Sequence, residues 1–311
     1  MTYILQFFAL FLLVFITSAH AAFDDCRAYF PNQTPPQISQ GPGQLRDICF
    51  DSFAVWHSGE SKTPIVVIER MNRARLIDAQ DEDRTDRFYE EARLPFAHRA
   101  RLEDYRGSGF DRGHMAPAAD MPTPEAMTQS FSLANMTPQE PAVNRNLWSR
   151  NVEQATRKYV MRATGDVYVY TGVVFSEPVK TIGQGRVWVP SYLYKLVYDE
   201  DQNRAWAFWV ANRDDAQMKP PITYEALVQR TGTDLLPGLS PRPRVQDAMT
   251  STTSRPTASA SPRTNSGFSC GSKRTCGQME SCEEARYYLT ACGLSRLDGD
   301  GDGTPCESLC R

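Results

Sequence analysis

An aspartate, an arginine, a glycine and a histidine follow one another at Asp111-Arg112-Gly113-His114, within the run Gly109-Phe110-Asp111-Arg112-Gly113-His114-Met115-Ala116-Pro117. These residue types suit work on a phosphodiester. An imidazole that titrates near neutral pH can take a proton from water, and a guanidinium can hold a phosphate through two parallel hydrogen bonds. A glycine between them lets the backbone turn sharply or come close to a ligand. Four residues alone are only suggestive. Further groups follow at Leu133-Ala134-Asn135-Met136-Thr137-Pro138-Gln139, at Asn144-Arg145-Asn146-Leu147-Trp148 and at Glu153-Gln154-Ala155-Thr156-Arg157.

Such groups need a scaffold, and the flanking sequence supplies one of mixed type. Val66-Val67-Ile68, Asp166 to Tyr170 and Arg186 to Pro190 are short β-branched or aromatic runs that read as strands. Tyr192 to Tyr198 and Ala205 to Val210, separated by the polar Asp199 to Asn203, should pair as an antiparallel hairpin. The clearest helix spans Arg145 to Arg162, where Trp148, Val152, Ala155 and Tyr159 recur on one face. A shorter one is expected from Tyr224 to Thr231.

Apolar residues make up 41% of the 311 and charged residues 23%, as in a globular chain and not a disordered one. The formal net charge of -3 excludes a global positive field as the means of attracting a polyanion, so affinity for one must come from local clusters. One is present: between Pro141 and Gly165 stand Arg145, Arg150, Arg157, Lys158 and Arg162 against Glu153 alone. Residues Met1 to Ala21 read as an export signal, with an apolar run from Ile4 to Ile16 and a small-x-small exit at Ala19-His20-Ala21, although no Lys or Arg precedes the run. All 8 cysteines lie beyond it, and an even count in an exported chain points to disulfides in an oxidising compartment, secreted or periplasmic. Zinc at the C-terminal six is the weaker alternative, since no Cys-x-x-Cys pair and no nearby histidine accompany them. The expected organisation is a domain over residues 22–237, a Ser/Thr/Pro-rich linker over 238–269 and a small cysteine-rich module over 270–311.

The order and spacing of these motifs resemble the DNA/RNA non-specific endonucleases of the ββα-metal superfamily, over most of residues 45 to 235, with Asp104-Tyr105-Arg106-Gly107-Ser108-Gly109 leading in and Tyr170-Thr171-Gly172 following the helix. The resemblance implies an α+β fold with a central antiparallel sheet and flanking helices. It implies that His114 is the general base, that Asn144 is the single direct protein ligand of a Mg²⁺ ion (or Mn²⁺ in its place), and that Arg112 and Arg157 contact phosphate. Glu153 would orient a water on the ion. In the family that glutamate follows the asparagine by eight residues, whereas here it follows by nine, and a π-bulge near Ser149 to Asn151 would absorb the extra one. Helix capping is the plainer alternative for Asn144, and Asp111 is expected to fix its loop by hydrogen bonds. One of Arg84 and Arg87 could add a phosphate contact, but their mixed-charge stretch reads as a solvated face and both are left out of the site, while His57 and His98 read as surface residues. Asn135, Pro138 and Gln139 read as structural. No base-reading motif is visible, so DNA and RNA are the expected substrates with little sequence preference.

The C-terminal stretch, with Asp298-Gly299-Asp300-Gly301-Asp302-Gly303 and Thr304-Pro305-Cys306-Glu307, resembles the excalibur calcium-binding domain of extracellular bacterial proteins. Asp298, Asp300, Asp302 and Glu307 are then the Ca²⁺ ligand candidates. Its six cysteines allow 15 pairings, and Cys26 and Cys49 are expected to bridge separately across the start of the larger domain. Two rival readings stand beside the nuclease: an exported calcium-binding adhesion or binding protein on an inactive nuclease fold, with the off-register Glu153 as its symptom, and a phosphodiesterase of narrower substrate range.

Overall fold

The computed structural model describes residues 23–243, 268–298 and 304–310. The expected export segment, most of the expected linker, and Asp300 and Asp302 lie outside the described residues. Among the described residues eleven strands are formed: β1 (Leu45–Cys49), β2 (Phe53–Ser58), β3 (Thr63–Met71), β4 (Asp111–His114), β5 (Met136–Gln139), β6 (Val167–Val174), β7 (Thr181–Ile182), β8 (Val187–Trp188), β9 (Tyr192–Asp199), β10 (Arg204–Ala211) and β11 (Arg242–Pro243). Seven of them make one sheet in the order β1-β2-β3-β6-β9-β10-β11, antiparallel except where β11 joins β10 in parallel. The expected hairpin is β9–β10, with Tyr192 opposite Ala211 and Asp199 opposite Arg204.

Six α-helices accompany the strands among the described residues: α1 (Arg73–Asp78), α2 (Leu102–Tyr105), α3 (Pro124–Ser130), α4 (Gln154–Val160), α5 (Tyr224–Thr231) and α6 (Cys282–Thr290). Short polar side chains start several of them. Asn72, Thr123, Thr223 and Ser281 each accept a hydrogen bond from a backbone N–H in the first turn, satisfying a donor the helix cannot. The long helix expected from Arg145 is in two parts: a π-helix over Val143–Glu153 runs directly into α4. Trp148, Val152, Tyr159 and Val160 of this segment are buried. Tyr159 donates to Asp199 at 2.5 Å and meets the Trp206 ring edge-on at 4.6 Å, which pins the helix to β9 and β10.

Strand alternation sends Glu69 of β3, Thr171 of β6 and Lys195 of β9 toward that same helix. All three are buried, and the Lys195 ammonium donates to Thr171 Oγ1 at 2.6 Å beneath the Trp148 ring. The opposite face carries Tyr170, Tyr194 and Tyr198, with α5 packed nearby on β10. Gly172 sits there because a Cβ would stand 2.1 Å from the Tyr194 ring.

All eight cysteines are paired, which removes the zinc alternative: Cys26–Cys49, Cys270–Cys292, Cys276–Cys306 and Cys282–Cys310. The last three surround a small core of Met279, Ala285, Tyr288 and Leu297. Disulfides stand in for the apolar area that so short a module cannot bury. Among the described residues no helix is long and apolar enough to cross a membrane.

His57 and His98 are not the surface residues expected. His57 lies in β2, every residue of which is covered, and is itself wholly buried; His98 is half-buried with its Nδ1 enclosed. Neither His57 ring nitrogen has a well-formed hydrogen bond, and burial pushes the imidazole down to about 3. The folded form therefore holds it neutral, while the unfolded chain takes up a proton near 6.5. Stability should fall as pH drops from 6.5 towards 3, by about 1.4 kcal/mol per pH unit, and be flat above that window as far as this residue is concerned. Urea midpoints from pH 8 to pH 4 check this: His57→Leu should lose stability less steeply on acidification than the parent. Equal slopes would contradict it.

Candidate active site

β4 and β5 form a two-stranded antiparallel hairpin, with Asp111 opposite Gln139, Gly113 opposite Thr137 and His114 opposite Met136. The connection between them is tied down by Asn135, whose carboxamide exchanges hydrogen bonds with the Ala116 backbone at 2.9 Å and donates to the Ser130 carbonyl at 2.8 Å. Asn135, Pro138 and Gln139 thus serve the framework. Gly113 is neither a turn nor a ligand-facing residue: a Cβ there would stand 2.1 Å from the buried Gln139 side chain. Overpacking of that kind costs about 1–3 kcal/mol, so Gly113→Ala should lower the urea-unfolding free energy by that much, whereas Gly109→Ala, with nothing within 4 Å but a positive φ of 83°, strains only its own backbone.

The hairpin leads into the π-helix, and the two together open a cleft of about 370 Å³ lined by Arg112, His114, Asn144 and Glu153, with Arg84 and Phe88 at its side. Four of the expected site residues therefore share one cavity. Arg157 lines the adjoining pocket, where its guanidinium meets the buried Asp120 carboxylate at 2.9 Å.

The His114 ring is set by aromatic contacts. Phe131 meets it edge-on at 5.0 Å and Phe88 at 5.8 Å. The same two rings carry guanidinium groups, Arg112 over Phe88 at 3.9 Å and Arg84 over Phe131 at 5.0 Å. Sequence reasoning missed Phe88 and Phe131, and it weighed Arg84 as a phosphate contact but set it aside. A lone aromatic gives no periodic signal, and Arg84 sits in a charge-rich run that looks like a solvated face. Burial first, and then the charge of Arg84 against the opposing pull of Asp86, with Arg112 adding to it, hold the His114 imidazole down at about 3, well below the near-neutral value expected. It is a neutral ring at physiological pH, and its Nε2 has no hydrogen-bond partner.

Asn144 does not cap a helix. It lies inside the π-helix, and its Nδ2 donates to Asp111 Oδ2 at 3.0 Å. Arg145 clamps the same carboxylate from its other side, at 2.8 and 2.6 Å. Burial alone would raise the Asp111 carboxyl, but the hydrogen bonds from Arg145 and Asn144 outweigh it and hold it below the usual range. With its nitrogen so engaged, the Asn144 amide turns its oxygen away from Asp111. Nine residues on, Glu153 also lines the cleft, because the π-helical turns between them absorb the extra residue. Burial raises its carboxyl above the ordinary value, and the charges of Lys195 and Arg157 pull it back.

An amide oxygen with a fixed orientation and a carboxylate in the same small cleft, without a thiolate or thioether, form a donor set that fits a hard divalent cation. Among the described residues no cluster of three or more His, Cys, Asp or Glu side chains could hold a metal ion. In the small module Asp298 and Glu307 are half-buried, and Glu307 lies 3.9 Å from Arg162, just past the end of α4.

The family model for DNA/RNA non-specific endonucleases matches residues 32–242. The chain belongs to this family. A second model, the Excalibur calcium-binding domain, matches residues 273–307. Among curated relatives of this endonuclease, Nuclease C1 of Cunninghamella echinulata var. echinulata is 34% identical over 197 residues, 58% of this chain and 77% of the relative. Human mitochondrial Endonuclease G is 34% identical over 167 residues, which covers 50% of this chain and 55% of that protein. The chain thus spans about half the length of the Endonuclease G relative. A chain of the solved EndoG/EndoGI complex has the same fold, with a TM-score of 0.55 at 22% identity over 64% of this chain and 89% of that one.

Proposed function

We propose that this endonuclease is an exported enzyme that hydrolyses the phosphodiester backbones of DNA and RNA with little sequence preference, using Mg²⁺ held through Asn144. One observation carries the reading: the side chains of His114 and Asn144, from separate elements, line a single cleft flanked by guanidinium groups.

In this mechanism Arg112 and Arg84 hold the phosphate group, each braced on a phenylalanine ring. The neutral His114 ring takes a proton from the attacking water. Its depressed pKa keeps the ring unprotonated and ready, and the approach of phosphate charge raises its basicity when substrate is bound. Asp111, clamped by Arg145, keeps the Asn144 oxygen turned into the cleft, and the Glu153 carboxylate accepts hydrogen bonds from water there. Asn144 would hold Mg²⁺, or Mn²⁺ in its place, with Glu153 acting on its waters, and the ion would supply localised positive charge against the charge that develops on the phosphate and the leaving oxygen.

The sequence carries no base-reading motif, which suits cleavage through the backbone alone. The disulfides suit an oxidising exterior, and with the export segment at residues 1–21 they support secretion, the linker over 238–269 joining the enzyme to a module in which Asp298, Asp300, Asp302 and Glu307 bind Ca²⁺. Release of acid-soluble nucleotides from both DNA and RNA in Mg²⁺ tests the reading. An absence of cleavage in Mg²⁺ and in Mn²⁺ would leave the adhesion-protein alternative standing.

A further inference from the structure

A second cavity of about 380 Å³ adjoins the catalytic cleft, and the two share Arg84, Ala118 and Ala119 as a common rim. Its character is different. Leu76, Ala79, Met127 and Met161 form its walls, from α1 and the turn after it, α3, and the end of α4. Its polar groups are the exposed Gln80, the half-buried Glu82 and two guanidinium groups, Arg157 engaged by Asp120 and Arg84 engaged by Asp86.

We infer that this pocket is a nucleobase subsite, which takes the base of a nucleotide directly flanking the scissile phosphate. The inference rests on the endonuclease reading and adds a binding site to it. The donors for a phosphate are confined to the Arg84 and Arg157 guanidinium groups, whereas against the aliphatic and thioether walls the flat face of a base buries apolar area and gains contacts with polarisable sulfur. The cavity has the size of small-molecule sites. Its position also fits, because Arg84 belongs to both cavities: a sugar-phosphate link gripped by Arg84 leaves one side in the catalytic cleft and the other over the apolar pocket. Only the Gln80 amide offers both a donor and an acceptor to a base edge, and it sits on a free, exposed side chain. A subsite of this kind needs a base and tolerates any base, in keeping with an enzyme that lacks sequence preference.

The test is bond-by-bond cleavage of single-stranded oligonucleotides that carry one abasic residue, with intact oligonucleotides alongside. A lost base-packing contact is worth roughly tenfold. In the wild-type enzyme one bond beside the abasic residue should be cut roughly tenfold more slowly than the same bond in the intact strand, with the remaining bonds unaffected. Ala79→Phe fills the pocket from a residue outside the catalytic cleft, and should cut intact and abasic strands alike. A flat profile in the wild type, with every bond cut at the intact rate, overturns the subsite and leaves the nuclease reading in place. Failure to cut the intact strand at all overturns the nuclease reading, and the subsite falls with it.

Discussion

Replacing His114 by alanine should lower kcat on both DNA and RNA by roughly 10²–10⁴-fold, the usual contribution of a positioned general base, with KM little changed. The separation of the two constants is the informative part. In the proposed mechanism the phosphate is held by guanidinium groups that stack on Phe88 and Phe131 rather than on the imidazole, so binding should survive the loss of the ring. Single-turnover rates with saturating enzyme measure the chemical step directly. A loss of tenfold or less would mean that another group deprotonates the water.

Asn144→Ala should be as severe for a different reason. A cation that stabilises the transition-state charge is worth several kcal/mol, a factor on the order of 10³ in rate. Asp111→Ala separates the ligand from its orientation: the Asn144 amide remains but loses the 3.0 Å hydrogen bond that directs it, and Arg145 is released as well. Loss of a partner that orients a metal ligand costs about 10–100-fold. A Mg²⁺ titration of activity should therefore show half-saturation moved to higher concentration in Asp111→Ala, and little activity at any concentration in Asn144→Ala. Identical metal dependence in the parent and both variants would count against Asn144 as the ligand.

Much of this was legible in the chain because its signals are local. The β9–β10 hairpin announces itself through two aromatic, β-branched runs around a polar turn. The catalytic helix does so through Trp148, Val152 and Tyr159 on one face, all three of which are buried. The nine-residue step from Asn144 to Glu153 called for a bulge near Ser149 to Asn151; the π-helical hydrogen bonding is wider and runs from Val143 to Glu153. What stayed hidden depends on partners remote in sequence. Gly113 is explained by Gln139, twenty-six residues away on the paired strand. Arg84 joins the site because Phe131 gives it a surface to lie on, and nothing around residue 84 tells of that ring. His57 looked solvated because a single imidazole carries no pattern, yet it lies in a strand covered on both faces. The depressed pKa of His114 has the same origin, since burial between two phenylalanines is a property of the fold and not of the motif.

The reading as a whole depends on the imidazole of His114 and the amide oxygen of Asn144 acting on one phosphate. Diffraction at the manganese absorption edge, from crystals of His114→Ala soaked with Mn²⁺ and a short oligonucleotide, tests that directly. The predicted result is a single anomalous peak in the cleft, bonded to Asn144 Oδ1 and to an oxygen of a phosphate that lies beside the space left by the ring. A peak bonded to Glu153 without Asn144, or a phosphate that lies out of reach of residue 114, would contradict it.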